Sequence, residues 1–497
     1  MGIIINQGLK NSIGFYLGVV LGAVNILFVS TYFLSANELA ISRLLVENSF
    51  VLAAFAHLGA PHILDRFFWR FKDDGKGHNG VLMYLLLFPH IGIIILTIIY
   101  FVFRTSIENY FSSQSPSLIP YIWLTLPLTY FWTLFVIFDA YLRVHKSTFY
   151  PTFLKETFLR LVNIGSIVLY GFQIISFDIF IYLQLFAVFI VVLLLIINIG
   201  SKDILFIDFK YLKIDSQLLK QTMQFGAVVI FGGIGANLIQ FIDRNIIAHK
   251  IGTQATAIFM ISTYLASFIE IPVKSIKQIS MPFLSEYFTK SDTENIENLY
   301  NKASHNFILL AGLMFVLVFF NIEYVLHLLP KSEIYLEGKW IVIIITGGKC
   351  LEMSLGLNNE VIAFSKYYKF NTYLILIMMI CIVLLNYLLI PIYGVLGSAI
   401  ATAIVTIISS LVRMFYVKIK FGFEPFTLQK FKIFLMFVFI FLFAFFLDIF
   451  KFDDQLVSFV FMIVKVFAVI SLFTYFTMKF NFSPEFREAL KHLSKKL

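Results

Sequence analysis

Apolar runs close to twenty residues long recur from one end of this 497-residue chain to the other. A helix rises about 1.5 Å per residue, so such a run matches the ~30 Å hydrocarbon thickness of a bilayer. Charged residues make up 13% of the chain, against roughly 25% in ordinary soluble domains. Too few charges remain to solvate a surface of this size in water. Hydrocarbon offers no partner for backbone N–H and C=O groups, so spanning segments of this length must be helices that satisfy their own hydrogen bonds. The chain therefore reads as an all-α membrane protein. Its 60 Phe and 24 Tyr suit lipid-facing surfaces and interfacial belts.

Apolar windows punctuated by polar loops give about fourteen spans. Six lie near 13–34, 41–60, 81–103, 120–142, 151–172 and 179–199. The next six lie near 223–248, 255–275, 304–326, 340–362, 370–390 and 395–417, and two more near 432–449 and 456–478. An even count places both termini on one side. With the N-terminus inside, the cytoplasmic segments and tails carry about 26 of the 38 Lys and Arg and the opposite loops about 5. An error of one span would invert the sign from loop to loop and erase this asymmetry. The net charge of +9 thus reflects membrane orientation and not nucleic-acid binding. No loop is long: the largest, around 279–303, has room for only a short amphipathic piece. Function must sit in the bundle or at its mouths.

Two halves are discernible. Gly14 and Asn25 in the first span are matched in spacing by Gly226 and Asn237 in the seventh. A short polar loop follows each, Ser35-Ala36-Asn37-Glu38 and Gly252-Thr253-Gln254. Six spans separate the two, so the repeats would have parallel topology. The expected boundaries are 1–200, 201–420 and 421–497, the last holding two additional C-terminal spans and a tail. Cys350 and Cys381 both fall in apolar stretches and read as packing residues, with no disulfide or metal framework. The N-terminus lacks a cleavable signal pattern, so the first run is expected to persist as a helix.

Ionisable groups at bilayer depth cost about 2.5–3.5 kcal/mol each on insertion scales and therefore tend to face the bundle interior or water. Arg43 and Glu47 share one face of the second span at i,i+4 spacing. The seventh span supplies Asn237, Gln240, Asp243, Arg244 and Asn245, and the eighth Glu270 followed by Lys274 and Lys277. The tenth carries Lys349, Glu352 and Glu360, and the fifth Lys155, Glu156 and Arg160. One reading is a polar cavity whose cations hold a phosphate-bearing head group, because the planar arginine fork pairs phosphate oxygens two at a time. The other is local pairing: Arg43 with Glu47, and Asp243 with Arg244 or a neighbouring helix. On the cavity reading Arg43, Glu47, Asn237, Arg244 and Lys349 line the binding site, and Asp243 and Glu352 are candidates for proton or cation coupling.

Gly14, Gly18 and Gly22 form a stripe suited to close helix packing. Pro272 is the candidate hinge, with a static kink as the alternative. Lys465 reads as a snorkelling or packing residue. His57, His62, His90 and His305 are scattered, form no metal-ligand spacing, and read as structural or interfacial. No nucleotide-binding, nucleophile-elbow or paired catalytic carboxylate motif occurs. No cofactor, metal or enzymatic activity is therefore expected.

The residues also resemble a family. Lys10-Asn11-Ser12 before a Gly-rich helix, then Phe33-Leu34-Ser35 and Arg43-Leu44-Leu45, are similar to the start of Wzx-type polysaccharide flippases. Asp243-Arg244 and the stretch from Glu270-Ile271-Pro272 through Gln278-Ile279-Ser280 to Pro282 resemble that family's seventh and eighth helices. Ser365-Lys366-Tyr367-Tyr368, Asn386, Pro391-Ile392-Tyr393-Gly394 and Gly397-Ser398-Ala399 extend the resemblance through the C-terminal half. It implies the multidrug/oligosaccharidyl-lipid/polysaccharide exporter superfamily: two six-helix lobes around a central cavity, plus two helices in the flippases. It further implies movement of undecaprenyl-diphosphate-linked oligosaccharide from inner to outer leaflet of a bacterial cytoplasmic membrane, for O-antigen, lipopolysaccharide or related surface polysaccharide. Polymerase and chain-length proteins are implied partners, beside membrane lipids and a monovalent cation or proton. The alternatives are an ion-coupled drug or metabolite exporter of the same fold and a peptidoglycan-precursor flippase.

Overall fold

A computed structural model describes residues 18–72, 78, 80–206, 216–424, 427–450, 455–483 and 487, and within them every regular element is helical. Two compact units divide the chain at residues 257 and 258. The first contains α1 (Gly18–Phe33), α2 (Ala36–Ala56), α3 (Ala60–Phe71), α4 (Val81–Ser112), α5 (Thr125–Val144), α6 (149–171), α7 (Phe177–Gly200) and α8 (Ser216–Lys250). Helix α9 (Thr253–Ser267) straddles the boundary. The second holds α10 (Glu270–Thr289), α11 (Thr293–His327), α12 (Lys339–Ser354), α13 (Asn358–Phe364), α14 (Lys369–Tyr393), α15 (Val395–Phe421), α16 (Leu428–Asp448) and α17 (Gln455–Lys479).

Among the described residues, nine helices are long and apolar enough to cross a membrane, and up to eleven segments if α9–α10 and the 332–364 segment each count as one bent span. The chain is a multi-pass membrane protein. Outward faces are apolar in the way lipid requires: Ile94, Ile98, Phe101 and Val102 on α4 and Phe434, Phe445 and Leu442 on α16 are all exposed.

Three local expectations are corrected. Ser35 to Glu38 is not a loop but the start of α2. Ser35 is the N-cap, its Oγ accepts the Glu38 amide at 3.3 Å, and the Glu38 carboxylate accepts the Ser35 amide at 2.8 Å. Glu38 is further held by the Tyr170 hydroxyl, which donates to it at 2.5 Å. Ser35→Ala should therefore lower stability by about 1 kcal/mol, read as a fall in melting temperature of the detergent-solubilised protein. Thr253 and Gln254 likewise open α9, and the Thr253 hydroxyl donates to Asn37 Oδ1 at 2.8 Å. The segment around 279–303, expected to be the largest loop with room for only a short amphipathic piece, is mostly helix: α10 runs to Thr289 and α11 starts at Thr293, capped by Asp292.

Two expected continuous spans are broken. Both α9–α10 and the segment ending in α12–α13 bend by 53°. Pro272 sits in the first turn of α10, where a missing amide costs little because first-turn amides have no intrahelical acceptor. The second break contains Gly356 at φ +95°.

In the first unit α2 packs between α5 and α8, with α3 and α4 against the same α5. Gly18 and Gly22 are buried, and a Cβ on Gly18 would lie 2.9 Å from the Glu156 carbonyl, so Gly18 seats α1 closely on α6; Gly14 lies outside the described residues. In the second unit Tyr300, Phe307, Leu357, Val361, Val417 and Phe423 form one core. Phe320, Ile433, Ile440, Val469 and Phe473 form another that ties α16 and α17 to α11. Lys465 is buried in that second core: it donates to Asp448 at 2.6 Å and to the Phe320 carbonyl at 2.8 Å. It packs and does not snorkel.

Candidate functional site

The charged residues singled out from sequence gather into two clusters, one in each unit. In the first, Arg43 and Glu47 stand one turn apart on α2, with Arg43 half-buried. Glu47 is paired with Arg244 of α8, and each side chain is 15% exposed. The second carboxylate oxygen of Glu47, Oε2, is buried without a hydrogen-bond partner among the described residues. One residue further along both helices, Asn48 and Asn245 exchange amide hydrogen bonds of 3.0 and 2.7 Å. The pairs lock α2 to α8 in a single register, because side chains one residue apart on each helix meet successive partners. Asp243 is buried on α8 beside Arg244. The Asn237 side chain lies outside the described residues.

This cluster continues onto α1 and α6, and both helices carry a π turn there: Val24–Val29 in α1 and Leu154–Phe158 in α6. Such turns occur disproportionately at functional sites, since they free backbone groups and re-aim side chains. Asn25, in the first, donates to Asn163 at 2.8 Å. Glu156, in the second, binds Arg160 at 2.7 Å and Lys155 at 3.9 Å. Lys155 lies 5.8 Å over the Phe50 ring, one turn along α2 from Glu47.

In the second unit Glu270, at the start of α10, takes Lys274 at 2.6 Å and also pairs with Lys349 of α12. Lys277 reaches Glu360 of α13 at 3.1 Å. Lys274 and Lys277 thus each meet a carboxylate of the second unit. Glu352 feels Lys277, Glu270, Arg413 and Lys349 around it. Arg413 of α15 escaped the sequence reading, as did the pairing of Glu360 with Lys277. Arg413 is 9% exposed and donates to Asn371 Oδ1 at 3.4 Å and Ser409 Oγ at 3.5 Å. Its signal was present: a lone arginine within an apolar run, flanked by Ser409 and Ser410 one turn earlier. Among the described residues no three His, Cys, Asp or Glu are arranged to hold a metal ion.

In these arrangements Glu47 and Glu360 each pair with one cation and Glu156 and Glu270 with two, and none presents a nucleophile activated by a base among the described residues. They suit binding and exchange of ions or charged head groups. Comparisons with known proteins bear on which. No protein-family model matches the chain. A curated relative, the capsular polysaccharide biosynthesis protein CapF of Staphylococcus aureus, is 28% identical over 178 residues. The match spans 36% of this chain and 44% of that protein, so less than half of the relative is represented. Among solved structures, an inward closed conformation of the lipid II flippase MurJ superposes with a TM-score of 0.72 at 17% identity, covering 95% of this chain and 100% of that one. The chain shares the fold of that structure. An inward-facing multidrug resistance MATE transporter of the MOP superfamily gives 0.67 at 13% identity, covering 82% of this chain and 94% of that one. A MOP superfamily transporter from Pyrococcus furiosus, described as having a binding pocket of reversed polarity, gives 0.58 at 13%, covering 84% and 95%.

Proposed function

We propose that this protein is a flippase that moves a polyprenyl-diphosphate-linked oligosaccharide from the inner to the outer leaflet of the bacterial cytoplasmic membrane by alternating access. The observation that carries the reading is Arg244, an arginine 15% exposed and paired between two helices with a carboxylate whose second oxygen lacks a hydrogen-bond partner among the described residues. Arg43, Arg244 and Lys349 receive the diphosphate or an acidic sugar, with Glu47 and Asn237 as polar neighbours, and Asp243 and Glu352 exchange the coupling proton or cation. Pro272, beside the α9–α10 bend, is the hinge. Two further facts support a lipid-linked glycan. The flippase structure covers 95% of the chain, and the multidrug and other MOP superfamily transporters compared with it cover 82–84%. The partial relative takes part, by its name, in capsular polysaccharide biosynthesis.

We further propose fourteen crossings with both termini cytoplasmic: the nine, the two bent pairs, and α1, α6 and α8. One charge moved through 100 mV is worth about 2.3 kcal/mol, so membrane potential or a coupled ion suffices to drive net transport. The test is leaflet-resolved transport in proteoliposomes with a polyprenyl-diphosphate oligosaccharide, with and without an imposed potential. Protein-dependent arrival of glycan on the far leaflet is expected, faster with the potential. The fold likeness to a multidrug transporter favours a second reading, a small-molecule exporter. Efflux of a cationic dye, with no movement of the oligosaccharide lipid or of a peptidoglycan precursor, would establish that instead.

A further inference from the structure

A cleft of about 510 Å³ lies in the second unit between α11, α12 and α16. Its volume is that of a small-ligand site. Its lining is ordered by polarity along its length. From Lys430 to Leu442 on α16 it runs three turns, roughly 18 Å. One end holds Lys430 and Ser354; the remainder is apolar, with Phe434, Phe437 and Cys350 on its walls. Ser354 is already engaged, donating to the Cys350 carbonyl at 2.7 Å. Lys430 is 7% exposed, and its ammonium lies 5.7 Å from the Tyr300 ring centre. It also belongs to the first turn of α16, where Thr427 caps the helix and the helix dipole is positive. A long apolar slot with a buried cation at one end complements an amphiphile with an anionic head. Basic pockets between membrane helices take phospholipid head groups in this manner.

We propose that this cleft is a binding site for an anionic glycerophospholipid, one acyl chain lying along α16 and the phosphate at Lys430. The occupant is a membrane lipid and not the transported molecule, so the site stands or falls independently of the transport reading. Both cysteines help to test it. Cys350 lines the cleft, whereas Cys381 is exposed on α14 and takes no part in the lining. In a Cys381→Ser background, full-length protein is placed in nanodiscs of phosphatidylcholine with or without phosphatidylglycerol, and Cys350 is alkylated with an uncharged maleimide.

Phosphatidylglycerol is expected to slow alkylation about fivefold, the factor expected for one lysine at an anionic lipid surface, and Lys430→Gln should remove the difference. A second variant covers the chance that Lys430→Gln fails to fold. A Cβ at Gly347 meets only Phe315, at 3.5 Å, so Gly347→Leu fills the cleft from an open position. Native mass spectrometry should find phosphatidylglycerol retained by the unaltered protein and lost from Gly347→Leu. Equal protection by phosphatidylcholine overturns the proposal, as does retention of the lipid in Gly347→Leu. Stronger protection by a polyprenyl diphosphate than by phosphatidylglycerol also overturns it, assigning the cleft to the substrate's tail.

Discussion

Replacing Arg244 with alanine is expected to abolish flipping in proteoliposomes and to lower the melting temperature, and the two losses separate in a second variant. Removing one partner of a buried ion pair leaves the other charge without compensation, a cost of up to about 3–5 kcal/mol. The Glu47–Arg244 pair is 15% exposed on each side, so its cost falls toward the lower end. Glu47→Ala with Arg244→Ala removes both charges together, leaves the Asn48–Asn245 pair to hold the register, and should restore most of the stability. Transport should stay absent, because the group proposed to receive phosphate is missing. Arg244→Lys keeps the charge and loses the planar fork. The loss of one charged hydrogen bond, about 1.5–3 kcal/mol, slows transport roughly ten- to hundredfold. A double variant that recovered both stability and transport would show the pair to be structural and defeat the assignment.

That experiment divides what the sequence disclosed from what it left open. Spans were legible because apolar length is dictated by bilayer thickness, and α4, α7, α14 and α15 begin within two residues of their expected starts. The choice among partners was not legible. Arg43–Glu47 and Asp243–Arg244 are neighbours along the chain, yet the carboxylate paired with Arg244 comes from a helix almost two hundred residues away. Sequence spacing constrains which side chains share a helix face, while pairing between helices depends on their register. The π turns in α1 and α6 left no trace either, since the shift of one hydrogen bond requires no special residue. The break before α10 was partly legible through Pro272. The break before α13 was hidden inside an expected continuous run at 340–362, although Gly356 marks it.

That glycine is where a minimal substitution is expected to have the largest effect on folding. Gly356 adopts φ +95°, a region L residues enter only with strain, and an added Cβ would stand 2.0 Å from Ser304 Oγ and 3.1 Å from Ser304 Cβ. Strain of about 1–3 kcal/mol and overpacking of about 1–3 kcal/mol combine in Gly356→Ala to a loss of ~2–6 kcal/mol, a large part of a typical protein's net stability. The two causes can be separated. Ser304 is fully buried and its hydroxyl has no hydrogen-bond partner among the described residues, so Ser304→Ala alone should be nearly neutral. Added to Gly356→Ala it removes the closest collision and should recover part of the loss, leaving the backbone strain. The consequence reaches the second charge cluster. The turn at Gly356 allows the Tyr300 hydroxyl to meet Asn358 at 3.0 Å and directs α13 so that Glu360 reaches Lys277 at 3.1 Å. A partly rescued protein that folds with a straightened α12–α13 segment should therefore transport poorly even where its melting temperature has recovered. Melting curves in detergent and transport rates on the same preparations provide the check. A Gly356→Ala protein as stable as the parent would mean that the bend is not fixed by this residue.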